Sequence, residues 1–160
     1  MKILVFSDSH NSIINMKIAI EKHKRSCDAV VFLGDGLKDI EQIKDLYPQI
    51  AFFIVKGNCD MFCSDIPAEK ILTLDGVKFL ITHGHLHGVK YGYEKITRAA
   101  YDCGADVALF GHTHVPCDEV CELEDKKIRL FNPGSAHGEG RFGVINISNG
   151  VVITSHGKIF

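Results

Sequence analysis

Five times along this chain a short apolar run ends in a polar motif: KILVF before Asp8 and His10, AVVFL before Asp35, AFFIV before Asn58, VKFLI before His83, and DVALF before His112 and His114. Apolar runs this short read as buried strands. Between the first three runs the spacing becomes helical. Ile13, Met16 and Ile20 share one face of a helix reaching about residue 24, with Asn11 or Ser12 placed to cap it. Leu37, Ile40, Ile43 and Tyr47 share another face, and Pro48 stops that helix. The order strand, helix, strand, helix, strand predicts parallel strands joined by right-handed crossovers.

The second half is built differently. KILTL and VKFLIT flank Asp75-Gly76, a two-residue hairpin signal. Tyr93, Ile96, Ala100 and Cys103 mark a third helix that Gly104 ends. The C-terminal stretch reads as strands (CDEVCEL, KIRLF, FGVINI and VVITSH), with Asn149-Gly150 as a turn. No Pro/Gly/Ser-rich linker divides the 160 residues, so one α/β domain over 1–160 is expected. Its two sheets should pack face to face with helices outside.

The polar motifs fall where an α/β sheet binds ligands, outside the carboxyl ends of its strands. Five such ends deliver carboxylate, amide and imidazole groups to one crevice. Gly34, Gly57, Gly84 and Gly111 stand beside four of the motifs, where glycine lets backbone come close to a ligand. Of nine histidines, six fall in three clusters: His10, then His83, His85 and His87, then His112 and His114. Taken singly, Asp8 reads as a helix cap, Asp35 as a turn residue and Asn58-Cys59-Asp60 as a loop. Taken together they predict a metal site. Mixed imidazole and carboxylate donors suit first-row divalent ions. Asp8, His10, Asp35, Asn58, His83, His112 and His114 are too many ligands for one ion and suit two that share a carboxylate. Two such ions clamp the oxygens of a phosphoryl transfer and provide hydroxide near neutral pH, so no Ser or Cys nucleophile is required.

Other classes are disfavoured. The formal net charge is −2 and no Lys/Arg run occurs, so nothing points to nucleic acid or an anionic membrane surface. The apolar runs are too short to cross a bilayer, and the N-terminal one is too short for a secretory signal, so the chain reads as cytoplasmic. Cysteines 27, 59, 63, 103, 117 and 121 form no CxxC pair. They read as reduced thiols, with Cys27 and Cys103 structural near helix ends, and not as a zinc site.

The motifs DSH (8–10), GD (34–35), GN (57–58), HGH (83–85), GHTH (111–114) and NPGS (132–135) resemble those of the calcineurin-like metallophosphoesterases in type, order and spacing. The likeness spans the whole chain and is strongest to the small cap-less bacterial and archaeal phosphodiesterases. It implies a four-layer α/β/β/α sandwich with a dinuclear site, loaded with two divalent ions, manganese or another first-row metal. Carried over, Asp8, His10 and His114 hold the first ion, Asn58, His83 and His112 the second, and Asp35 bridges. The implied activity is hydrolysis of a small phosphate ester by metal-bridging hydroxide, a phosphodiester before a phosphomonoester, with Asn58 and Cys59 beside the substrate. Many members of the wider superfamily carry histidine after the Asn, in a GNH motif that assists the leaving group. Here Cys59 stands in its place, which leaves the general acid unassigned. The competing class is a non-catalytic protein-binding scaffold, because a retromer subunit shares this fold; the complete set of seven ligand positions favours the enzyme. A homo-oligomer is compatible with the sequence, which specifies none.

Overall fold

The computed structural model describes residues 1–61 and 65–160. Strands β1 (Lys2–Phe6), β2 (Ala29–Phe32) and β3 (Ala51–Ile54) alternate with helices α1 (Ile13–His23) and α2 (Leu37–Leu46). β1 pairs parallel with β2, and β2 with β3, as the alternation predicts. β4 (Glu69–Leu74) and β5 (Val77–Thr82) form a hairpin whose Asp75 and Gly76 both take positive φ, as a type I′ turn requires. Helix α3 (Glu94–Asp102) leads into β6 (Val107–Leu109). Two more hairpins follow, β7 (Cys117–Leu123) with β8 (Lys126–Asn132), and β9 (Phe142–Ser148) with β10 (Val151–Gly157). These two hairpins join different sheets. β9 pairs antiparallel with β1, giving the order β10-β9-β1-β2-β3, while β8 pairs parallel with β6, giving β4-β5-β6-β8-β7.

Alternation of side chains along each strand builds the layers. Ile3 and Val5 of β1 point between the sheets, into a cluster with Val31, Phe79, Ile81, Leu109 and Phe131. Leu4 and Phe6 point the other way, into a cluster with Met16 and Ile20 of α1 and Ile40 and Ile43 of α2. In the second sheet Leu80, Ala108 and Leu130 pack with Ile96 and Ala100 of α3. Strands covered on both faces must be apolar throughout, which explains the unbroken runs in the sequence. The result is the four-layer α/β/β/α sandwich.

Three local features carry information about the site. Ser12 occupies the cap position of α1 but makes no side-chain cap bond; its hydroxyl pairs with His137 Nδ1 at 2.8 Å. His85–His87, which carried no helical signal, form a single 3₁₀ turn. Cys27 is buried and its thiol donates to the Ala29 carbonyl, while the half-buried Cys103 donates to the Ala100 carbonyl. Cys63 lies outside the described residues. Among the described residues no helix is long and apolar enough to cross a membrane.

Candidate metal centre

The motif-bearing strands come from both sheets: β1, β2 and β3 from one, β5 and β6 from the other. The crevice expected outside the strand ends therefore draws its residues from both sheets. The loops after β1, β2, β5 and β6 bring six of the predicted residues together in two groups. Asp8, His10 and His114 form one and Asp35, His83 and His112 the other, the three donor atoms of each lying within 4.8 Å of one another. Asn58 is exposed on the loop after β3. That loop is latched to the second group, because the Cys59 N–H donates to Asp35 Oδ1 at 2.8 Å.

The backbone here is held in a sparsely populated conformation. Among the described residues nine non-glycine positions have positive φ. Asp75, Glu124 and Asn149 sit in hairpin turns; the other six are Asp8, His10, Asn11, Asp35, His112 and His114. Such residues cost about 1–3 kcal/mol each and persist only where the surroundings over-determine them. The restraints are visible. The Asp8 N–H donates to the Gly34 carbonyl at 2.9 Å, and the His112 N–H donates to Asp8 Oδ2 at 3.0 Å. A Cβ on Gly57 would lie 2.1 Å from Asp35 Oδ1, and one on Gly111 would lie 1.8 Å from Ser7 Oγ, so these two motif glycines are needed for space.

Asp60 organises the region and escaped the sequence reading as anything beyond a loop residue. Its carboxylate accepts the N–H groups of Asp35, Gly36, Leu37 and Gly57 at 2.7–3.1 Å. It joins two loops and caps the start of α2, where negative charge is favoured. Asn132 and Ser135 give the NPGS motif a role as a brace. Asn132 Nδ2 donates to the Gly111 carbonyl at 2.9 Å, and the Ser135 hydroxyl donates to the Asp8 carbonyl at 2.8 Å.

Whether these residues suit a metal can be tested on their unpartnered atoms. Asp8 and His83 are fully buried, and Asp8 Oδ1 and His83 Nε2 make no hydrogen bond. The His83 Nδ1–H donates to the Leu33 carbonyl at 2.7 Å. That turns Nε2 toward Asp35 Oδ2 at 3.3 Å and Asp8 Oδ1 at 3.8 Å. His114 Nε2 lies 3.1 Å from Asp8 Oδ1 and 3.4 Å from His10 Nε2. Asp8 Oδ1 and His83 Nε2 thus converge away from water with no hydrogen-bond donor between them, an arrangement that a shared cation would satisfy. Burial opposes a charge on His83, but the Asp35 carboxylate 3.3 Å from Nε2 and the field of Asp8 prevail and raise its pKa. Burial likewise pushes Asp35 up, yet His83 and the Cys59 N–H hold its carboxyl well below the usual range. His112 is pushed down to about 4 by burial and by repulsion from His83 and Lys90, so it offers a neutral lone pair at pH 7. Imidazole and carboxylate donors, with a carbonyl-anchored histidine among them, fit a first-row divalent ion.

The remaining histidines differ in their surroundings. His85 has a buried, unpartnered Nδ1 and its ring centroid lies 5.5 Å from that of His83. His87 is engaged by Glu69 at 2.9 Å. The Cys59 thiol is exposed, and hydrogen bonding to Asp35 followed by partial burial raises its pKa, so it stays protonated at neutral pH.

Two facing sheets whose strand ends carry paired carboxylate–imidazole clusters make the frame of a metal-dependent hydrolase. The chain belongs to the calcineurin-like phosphoesterase superfamily, whose domain model matches residues 1–150. It is 36% identical over 136 residues to the probable metallophosphoesterase YsnB of Bacillus subtilis, covering 84% of this chain and 75% of that protein. It is 30% identical over 155 residues to the phosphodiesterase MJ0936 of Methanocaldococcus jannaschii, covering 86% of each. It also resembles the crystal structure of a predicted phosphoesterase from Streptococcus pneumoniae, at 28% identity and a TM-score of 0.77, over 97% of this chain and 87% of that one.

Proposed function

We propose that this chain is a phosphodiesterase acting on small phosphate esters with two divalent ions, manganese foremost. Asp8, His10 and His114 would hold the first ion, Asn58, His83 and His112 the second, and Asp35 would serve both. The observation that carries this reading is the pair of buried, unpartnered acceptors, Asp8 Oδ1 and His83 Nε2, facing each other at 3.8 Å. Asp35 suits the bridge because it contacts His83 on one side and lines a cleft with His10 on the other. When bound, the two ions supply the positive charge and the activated water that phosphoryl transfer needs.

The protein's own residues then do the positioning. The Leu33 carbonyl fixes the His83 tautomer, while the Cys59 N–H and the Asp60 carboxylate hold Asp35. Asn58 and Cys59 border the substrate. As a protonated, uncharged thiol, Cys59 is no nucleophile and brings no positive charge to the departing oxygen. Esters whose leaving group is already stable as an anion, such as aryl phosphodiesters, are therefore favoured; the name of MJ0936 supports diesters over monoesters. The unit comprises residues 1–160 as one domain. A cytoplasmic location is supported by the free thiols of the five described cysteines, Cys27, Cys59, Cys103, Cys117 and Cys121.

The test is hydrolysis of a panel of phosphomonoesters, cyclic nucleotides and aryl phosphodiesters with several added metals. Aryl diesters with manganese should be turned over fastest. No hydrolysis of any ester with any metal would leave a binding scaffold as the function of this fold.

A further inference from the structure

A cleft of about 330 Å³ opens beside the two clusters, its lining including His10, Asp35, Cys59, Leu37, Lys38 and Met61. That volume is at the small end of the ligand-site range, about 300–1,000 Å³, and suits one ring-sized group, not a polymer. Its carboxylates are all engaged. Asp60 accepts four backbone N–H groups. Asp39 accepts the Ser9 hydroxyl at 2.6 Å and the Asn11 N–H at 2.9 Å. Asp35 contacts His83 and the Cys59 N–H.

Lys38 is different. It is exposed and, among the described residues, makes no ion pair. It stands on the first turn of α2, where a cation opposes the helix dipole, so its position does nothing for the helix. What it does is put an unpaired positive charge on the wall of the cleft. Met61, also in the lining of the cleft, presents apolar surface at 79% exposure.

We propose that this cleft receives the organic substituent of the substrate, and that Lys38 selects substituents carrying a second anionic group, a carboxylate or a further phosphate. The inference rests on the phosphodiesterase reading, since the ester phosphate must be anchored at the two clusters for its substituent to lie in the cleft. An ion pair open to solvent is modest, so the preference should be about fivefold in affinity and should shrink as salt rises.

The test compares two non-hydrolysable inhibitors, phenylphosphonate and 4-carboxyphenylphosphonate, against manganese-loaded enzyme turning over bis(4-nitrophenyl) phosphate. The readout is the ratio of the two Ki values. For the wild type the carboxylated compound should bind about fivefold tighter. Lys38→Ala should bring the ratio to about one, Lys38→Glu should invert it, and Lys38→Arg should keep it. Equal Ki values in the wild type, or a preference that survives Lys38→Ala, would overturn the assignment while leaving the hydrolase reading intact. No metal-dependent turnover, or no inhibition by either phosphonate, would overturn the anchoring on which it depends.

Discussion

The two ligand clusters share one groove but differ in their access to water. In the inner one Asp35 is 3% exposed and His83 is fully buried. In the outer one a fully buried Asp8 is flanked by His10 and His114, whose side chains are 34% and 48% exposed. The difference extends to how each is held. His83 crosses from the second sheet to donate to the Leu33 carbonyl at the end of β2, so it joins the sheets as well as facing the site. His10 and His114 meet each other with their rings tilted by 49° and their nitrogens 3.4 Å apart. The inner cluster is thus part of the joint of the sandwich, and the outer one is a site built on top of it.

The largest expected effect tests the link between the clusters. With Asp35 as the proposed bridge, Asp35→Asn should cut kcat/KM roughly a thousandfold even at saturating metal, because it would remove the charge that offsets the repulsion of two ions. In the proposed assignment Asn58→Ala removes one neutral ligand of one ion, and it should cost less, roughly 10–100-fold. Equal residual activity in the two variants would move the bridge elsewhere.

Next comes the structural contrast. His83→Ala should destabilise the metal-free chain by about 2 kcal/mol, or roughly 4–8 °C in Tm, since it leaves buried acceptors unpaired. His114→Ala should change it by no more than about 0.5 kcal/mol. Similar melting shifts would erase the distinction between joint and site.

A subtler effect is the pH dependence of the metal-free protein. The His83 pKa is raised above 6.5 on folding, so its stabilisation is complete below that pH and is lost as pH rises through the raised value. The His112 pKa is lowered to about 4, so stability is lost as pH falls from 6.5 toward 4. Melting temperature should therefore peak near pH 6.5, with a shallow acid side because the His112 ring is partly exposed. Manganese should shift the maximum upward, since ligands must shed protons to bind it. A metal-free curve still rising at pH 8 would contradict these signs.

The smallest expected effect concerns Cys59, which lines the cleft and donates its N–H to Asp35. Cys59→His should raise kcat/KM on alkyl esters by about tenfold, a fraction of the ~10²–10⁴ that general acid catalysis typically provides. Aryl esters should change little. An equally steep dependence on leaving-group pKa in both proteins would place the acid elsewhere.

What could be read from the sequence follows the range of each interaction. The βαβαβ half and the β4–β5 hairpin are built from neighbours in the chain, and their signals were local. The pairing of β9 with β1, which sets Lys2 against Asn146, is fixed only by burial across the whole chain. The same holds for the site. Each candidate ligand follows its own strand, so the motifs stood out. What braces them did not: Ser135 reaches Asp8 from 127 residues away, and Asp60 reaches Leu37 from 23. Ser12 shows a local preference overridden, its hydroxyl drawn from the helix to His137.

The most direct test is to count ions against turnover. After exhaustive chelation checked by elemental analysis, manganese is titrated back while bound metal and hydrolysis of bis(4-nitrophenyl) phosphate are followed together. If both clusters load, the metal-free protein is inactive and hydrolysis reaches its plateau at two ions per chain. Full activity in verified metal-free protein, or a plateau already reached at one ion, would contradict a two-cluster site.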